Sequence, residues 1–210
     1  MKVLFINGSA HVDGCTKRAL KEMENIFLSE GIETDWIEAG TKDIRGCIAC
    51  NYCRSHNKCV FNDLVNESAP KLAECDALIV GSPVYYAGPN GQLHSFLDRL
   101  FYSTVTCIDK TMKIGATVVS SRRAGSTSTF DDLNKYFTIS SMPIASSTYW
   151  NEVHGFKAED VEKDPEGLQT MRNLAKNIVF MLKAFAAQKA IEGGFPKQER
   201  QYFTPFFGLS

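Results

Sequence analysis

The residues Lys2-Val3-Leu4-Phe5-Ile6-Asn7-Gly8-Ser9-Ala10-His11-Val12-Asp13-Gly14-Cys15-Thr16 decide the fold. Lys2–Asn7 is a short apolar run containing Val, Phe and Ile, ended by Gly8, which is the pattern of a strand buried on both faces. A polar turn follows. From Thr16 to Ser29 the apolar residues Ala19, Leu20, Met23, Ile26 and Phe27 recur at helical spacing, and Gly31 is a natural stop. Strand, polar turn and amphipathic helix make the first half of a parallel crossover unit.

The alternation continues along the chain. Strands are predicted at Thr34–Ile37, Ala77–Gly81, Lys113–Ser120 and Pro143–Ser147, and helices at Asp63–Glu74, Gly91–Tyr102 and Phe130–Phe137. A last helix starts at Asp164-Pro165, with Asp as cap and Pro in the first turn, and ends at Gly193-Gly194. Residues Gly40 to Cys59 are polar, cysteine-rich and without a period, so they read as one long functional loop. The expectation is an α/β fold: a three-layer, doubly wound, five-stranded parallel sheet. Residues 1–210 form a single domain in this reading, with a cysteine-rich loop at 45–60 and an aromatic tail at 195–210. Ligands of such sheets sit at the carboxyl ends of the strands, so function is sought in the loops after strands one, three and four.

Composition removes several classes of function. Apolar residues make up 44% and charged residues 22%, which excludes long disorder. Lys plus Arg number 23 against 24 Asp plus Glu, a net charge of −1, so no broad nucleic-acid footprint is expected. No stretch approaches the ~20 apolar residues of a membrane span. The N-terminus turns polar too soon for a signal peptide, and the expected location is cytoplasmic. Disulfides are rare there, so seven cysteines, four of them between Cys47 and Cys59, stand out.

In the first loop, small and hydroxyl residues let N–H and O–H groups converge on an anion at a helix N-terminus. The spacing is neither a Walker A loop nor a dinucleotide fingerprint. It fits a flavodoxin-type phosphate loop; the alternative is a plain polar turn with Thr16 near the cap. The loop after strand three reads Gly81-Ser82-Pro83-Val84-Tyr85-Tyr86-Ala87-Gly88-Pro89-Asn90-Gly91. Its prolines and glycines hold a fixed backbone that can meet the polar edge of a flat ring, with Tyr85 or Tyr86 on its face. Alternatively, these tyrosines pack on a neighbouring helix or a partner chain.

These two motifs together resemble the NADPH-dependent FMN reductase family of flavodoxin-like proteins, and the cysteine segment resembles its iron–sulfur flavoprotein branch. The resemblance spans the whole chain. It implies that Ser9, His11, Cys15 and Thr16 surround the FMN phosphate and that Pro83, Val84, Tyr85, Tyr86 and Gly88 line the isoalloxazine. Family members often carry a basic residue where this chain has His11 and Asn where it has Cys15. That departure bears on a charge-assisted phosphate contact at His11.

The loop after strand four, Ser120 to Thr127, supplies Ser121, Arg122, Arg123 and Gly125 as further cofactor-binding candidates. Reduced flavin carries negative charge at its pyrimidine end. Arg122 or Arg123 would favour reduction, or bind a nicotinamide nucleotide phosphate. The bland reading is surface arginines paired with Asp131 or Asp132.

Cys47-x2-Cys50-x2-Cys53-x5-Cys59 places four soft ligands in one compact run, a spacing that suggests an iron–sulfur loop more than zinc. Reduced structural or redox thiols remain the alternative, and zinc a third. The resemblance implies a [4Fe–4S] cluster on Cys47, Cys50, Cys53 and Cys59. Cys75 and Cys107 read as packing residues. His56, His94 and His154 are scattered, without a metal-binding spacing. By the resemblance, Trp150 and His154-Gly155, after the fifth strand, lie near the flavin or a partner subunit. Phe195, Tyr202, Phe203, Phe206 and Phe207 should dock on the chain's own sheet or on another subunit, favouring a homodimer or homotetramer.

The expected activity is that of an FMN-dependent oxidoreductase. Electrons pass from NADH or NADPH to FMN and on to a small acceptor such as a quinone or free flavin. The alternatives are an electron carrier exchanging electrons between a [4Fe–4S] cluster, FMN and a ferredoxin-like partner, or a non-enzymatic flavin- or zinc-binding protein. No catalytic side chain is named, because the cofactor carries the chemistry.

Overall fold

Five strands and seven helices succeed one another within residues 1–199, the part of the chain that the computed structural model describes. Strand β1 (Lys2–Asn7) leads into α1 (Cys15–Ser29), and β2 (Glu33–Glu38) is followed by α2 (Tyr52–His56) and α3 (Leu64–Glu74). Then β3 (Ala77–Pro83) leads to α4 (Gly91–Ser103), and β4 (Ile114–Ser121) to α5 (Ser126–Thr138). The last elements are β5 (Glu152–His154), α6 (Ala158–Val161) and α7 (Pro165–Glu192). The sheet order is β2-β1-β3-β4-β5 and every pairing is parallel. This is the flavodoxin-like order, with its switch point between β1 and β3.

Alternation along β1 shows why the strands are apolar throughout. Val3 and Phe5 join one core with Ala19, Leu20, Met23 and Phe27 of α1 and Met171, Leu174 and Ile178 of α7. Leu4 and Ile6 point the other way, to Leu72 of α3, Phe96 and Leu97 of α4, and Leu133 and Phe137 of α5. Each such buried side chain contributes roughly 1.5–3 kcal/mol. Helix ends follow local chemistry. Asp63, Asn90 and Asp164 cap α3, α4 and α7 through Val65, Gln92 and Gly167 N–H groups, and Gly193 ends α7 at φ +72.

The fifth strand lies elsewhere than expected. Pro143–Ser147 forms only a bridge at Ile144, where Gly115 N–H donates to the Pro143 carbonyl at 2.8 Å and Ala145 N–H to Gly115 at 2.9 Å. Pairing resumes at Glu152–His154, against Val119–Ser121. In between, Asn177 Nδ2 donates to the Ser146 carbonyl at 2.8 Å and Ser147 Oγ to the Thr170 carbonyl at 2.7 Å, so α7 draws these residues off the sheet edge. His154 accordingly ends the fifth strand instead of following it. Three further differences are smaller. The loop at 40–59 contains helix α2, flanked by Asn51 and Asn57 at φ +56 and +54. Helix α5 begins at Ser126. Cys107 is exposed, whereas Cys75 is buried and burial pushes its thiol up to about 11. Of the aromatic tail, Phe195 packs edge-on against Phe185 at 6.3 Å; Tyr202, Phe203, Phe206 and Phe207 lie outside the described residues. Among the described residues, no helix is long and apolar enough to cross a membrane.

Candidate functional site

The loops after β1, β3 and β4 converge on a cleft of about 620 Å³ at the carboxyl edge of the sheet. The first loop contributes Ser9, His11, Asp13, Gly14, Cys15 and Thr16. Its shape is fixed from beneath. Asn7, fully buried, accepts the Ser9 N–H at 3.1 Å and donates to the Val12 carbonyl at 3.3 Å and to Glu38 Oε2 at 2.7 Å. Lys17 holds the other oxygen of Glu38. Ser9 Oγ accepts the His11 N–H at 3.1 Å, which leaves its own O–H to donate into the cleft.

Helix α1 starts at this loop without a side-chain cap. The N–H groups of its first turn therefore retain their demand for an acceptor. A Cβ on Gly14 would sit 3.2 Å from His11 Cβ and 3.3 Å from Ser9 Oγ, so the loop closes tightly around the helix start. Thr16 is fully buried and its hydroxyl pairs with Ser120 Oγ at 2.8 Å, so it ties the loop to β4. Burial pushes the Cys15 thiol up, and Asp160 and Glu159 add in the same direction. Cys15 thus stays neutral at pH 7 and places no negative charge beside an anion. An uncapped helix start, a free hydroxyl and a neutral thiol are the donor set a phosphate group fits.

The second loop contributes Pro83, Val84 and Tyr85. Tyr85 and Gly88 exchange backbone hydrogen bonds of 2.9 and 3.1 Å around Tyr86-Ala87. Both central residues have positive φ, +50 and +59, a mirror-image turn that usually takes Asn and Gly. Tyr86 therefore stands at the tip with its side chain fully exposed, and Tyr85 alone of the two borders the cleft. Gly88 belongs to the turn and does not border it.

The β4–α5 loop contributes Ser121 and Arg122, with Ser120 beside them. Arg123 and Gly125 stand back from the cleft. Gly125, at φ +93, packs so closely that a Cβ would lie 2.8 Å from Ala87 Cα and 2.9 Å from Val84 Cγ1. Asp132 is engaged by His94 at 3.4 Å and Lys135 at 3.1 Å, and neither Arg122 nor Arg123 is in an ion pair among the described residues.

Residues Gly155 to Glu159 form a fourth wall that periodicity alone does not reveal. Asp160 Oδ2 accepts the N–H groups of Phe156 and Lys157, both at 3.2 Å, and so folds this turn over the cleft. Its short-range signal is the acidic side chain three residues after Lys157, a capping pattern. His154 lies to one side, 3.1 Å from Ser121 Oγ, and Trp150 is exposed away from the cleft.

Cys47, Cys50, Cys53 and Cys59 share the wall of a second, small pocket with Phe61, Arg99 and Tyr102. All four are free thiols. Among the described residues, no three metal-binding side chains stand close enough for a single ion. Four thiols spread around one apolar pocket, rather than gathered about a single point, fit a multi-iron centre better than a lone zinc ion, which all four sulfurs must touch at once.

The family model of NADPH-dependent FMN reductases matches residues 1–157. An iron–sulfur flavoprotein from Methanocaldococcus jannaschii is 34% identical over 189 residues, covering 87% of this chain and 98% of the relative. The crystal structure of RosB with bound 8-demethyl-8-formylriboflavin-5'-phosphate covers 100% of this chain and 98% of its own, with TM-score 0.69 and 13% identity. A flavodoxin, a WrbA-like protein from Agrobacterium tumefaciens, superimposes with TM-score 0.59 at 14% identity, over 87% of this chain and 98% of its own. The two structural likenesses speak for the fold alone.

Proposed function

The chain belongs to the NADPH-dependent FMN reductase family, and from that membership we propose that it is an FMN-dependent oxidoreductase that draws on NADH or NADPH and reduces a small acceptor such as a quinone or free flavin. The observation that carries this reading is the convergence of three strand-end loops on one cleft, with an uncapped helix start and Tyr85 both on its lining. Bound there, FMN would supply hydride acceptance and onward delivery of electrons. The chain's own residues bind and orient. Ser9 Oγ and the first-turn N–H groups of α1 hold the phosphate. Pro83, Val84 and Tyr85 flank the ring. Arg122 places positive charge at the cleft, where it favours the more negative reduced state. The fully exposed Tyr86 ring at the tip of the β3–α4 turn supports pairing with a second copy, as a homodimer or homotetramer.

The test is an anaerobic titration of the purified, FMN-loaded chain with NADPH and with NADH. Stoichiometric bleaching of the flavin, reversed by a quinone, is expected. A flavin that stays oxidised with both nucleotides overturns the reading. Ser9→Glu tests the phosphate placement separately: a carboxylate against the anion should expel FMN, and unchanged affinity would remove the β1 loop from the site.

A second reading rests on the four-thiol pocket and the iron–sulfur relative. In it Cys47, Cys50, Cys53 and Cys59 hold a [4Fe–4S] cluster and the chain exchanges single electrons with a ferredoxin-like partner. Iron and sulfide analysis after anaerobic purification separates it from bare thiols and from zinc.

A further inference from the structure

Arg99 lies in the second half of α4, among Phe96, Leu97 and Leu100, and is 1% exposed. A buried guanidinium needs a partner for its charge and for each of its five N–H groups. Asp63 takes two, at 2.7 and 2.9 Å, and the Arg45 carbonyl takes one at 3.3 Å. The remaining two end on sulfur: Nε and Nη2 donate to Cys59 Sγ at 3.3 and 3.1 Å. Phe61 covers the guanidinium, with its ring 4.9 Å from Cζ. The backbone of Cys59 is held as well, since Asn66 accepts its N–H at 2.8 Å and donates to its carbonyl at 3.0 Å. Among the described residues the other three thiols have no charged donor; Cys47 Sγ accepts only the Ala49 N–H, at 3.4 Å.

We propose that Arg99, acting through Cys59, sets the reduction potential of the four-cysteine centre, and that Asp63 limits its effect. The proposal rests on the cluster reading above. Arg99 is a positioning residue that touches a ligand and no reacting atom. An N–H group and a fixed positive charge on a ligand sulfur stabilise whichever state carries more negative charge, which is the reduced one. Arg99 therefore raises the potential. Asp63, bidentate to the same guanidinium, offsets part of that charge. The two residues thus act with opposite sign, which a merely structural ion pair would not do.

The experiment uses the full chain, loaded with FMN and reconstituted anaerobically with iron and sulfide, and follows the cluster absorption and its electron paramagnetic resonance signal during redox titration. Arg99→Gln is expected to shift the cluster about tenfold toward its oxidised form, ~59 mV for a one-electron couple. Asp63→Asn is expected to shift it the other way and to keep the α3 cap, because Asn caps as well as Asp. Should Arg99→Gln fail to fold, Arg99→Lys serves in its place, retaining charge with fewer N–H groups on sulfur and giving a smaller downward shift. The flavin potential should stay unchanged throughout. Wild-type cluster potentials in the variants, or shifts of the same sign from Arg99 and Asp63, overturn the proposal. A wild-type chain that takes up no iron and sulfide overturns it too, while the nicotinamide titration of the flavin still stands as a separate result.

Discussion

Asn90 Nδ2 donates to the Gly8 carbonyl at 2.7 Å, a bond between residues 82 apart in sequence. The same side chain caps α4 through the Gln92 N–H at 3.1 Å, and its own N–H reaches Ser82 Oγ at 3.1 Å. One buried asparagine thus joins the β1–α1 loop to the β3–α4 loop.

Asn90→Ala should be costly for that reason. Loss of the cap costs about 1 kcal/mol, and the orphaned Gly8 carbonyl about 1–3 kcal/mol more. The midpoint of urea unfolding should fall, and FMN should dissociate more readily because the two loops are no longer tied. Flavin fluorescence on dilution measures the second effect. A variant with wild-type stability and flavin retention would show that the tie is dispensable.

Gly40 touches the same loop from the β2 side. A Cβ there would lie 2.2 Å from the Gly8 carbonyl oxygen and 2.4 Å from the Ser9 carbonyl carbon, both backbone atoms. Gly40→Ala cannot be relieved by a side-chain rotation, so Gly8 and Ser9 must move. Overpacking of this kind costs roughly 1–3 kcal/mol. Weaker FMN binding should accompany the loss, read by equilibrium titration of the apoprotein. Gly91→Ala, where a Cβ meets nothing within 4 Å, is the control.

The arginine pair should separate by position. Arg122 borders the cleft and Arg123 does not. Arg122→Ala should lower the flavin midpoint potential or weaken nicotinamide binding, whereas Arg123→Ala should do neither. Spectroelectrochemistry and nucleotide titration of both variants decide it, and equal behaviour would remove Arg122 from the site.

Acid should act at Glu24. Its carboxylate is buried, which alone would push its pKa up. Hydrogen bonds from Lys21 at 2.5 Å, Trp36 Nε1 at 2.6 Å and Thr34 at 2.9 Å outweigh burial and hold it below the usual carboxylate range. A folded-state pKa below the unfolded one means stability that is full above the unfolded value, ~4.3, and is lost as pH falls through the folded value. Glu24→Gln should therefore be less stable than wild type at pH 7, with the gap narrowing below about pH 4. Urea midpoints at the two pH values test this; a constant gap would show that proton linkage at Glu24 is negligible.

Local signals made much of this fold legible. The β1–α1 unit and α7 carry period, cap and stop within their own residues, and the structure starts and ends them within about a residue of the sequence reading. Non-local bonds decided the rest. The edge run at Pro143–Ser147 has strand-like residues, but Thr170 and Asn177 on α7 claim its polar groups. Gly40 is an unremarkable loop glycine until the fold brings Gly8 against it. Arg99 sits inside an apolar helical face and resembles a misplaced surface charge; only folding brings Cys59, 40 residues away, to its N–H groups. Tyr86 and Tyr85 are neighbours in one motif, and backbone handedness at the turn sends them to different surroundings.

Helix α4 serves both pockets. Asn90 at its start fixes two loops of the strand-end cleft, and Arg99, Tyr102 and Ser103 near its end wall the cysteine pocket. At 3.6 residues per turn, one inserted residue between them would rotate the two ends by about 100° against each other. The phase of a single helix therefore couples two sites that share no side chain. Evolution can change the length of α4 only by abandoning one pocket or by adding close to a whole turn.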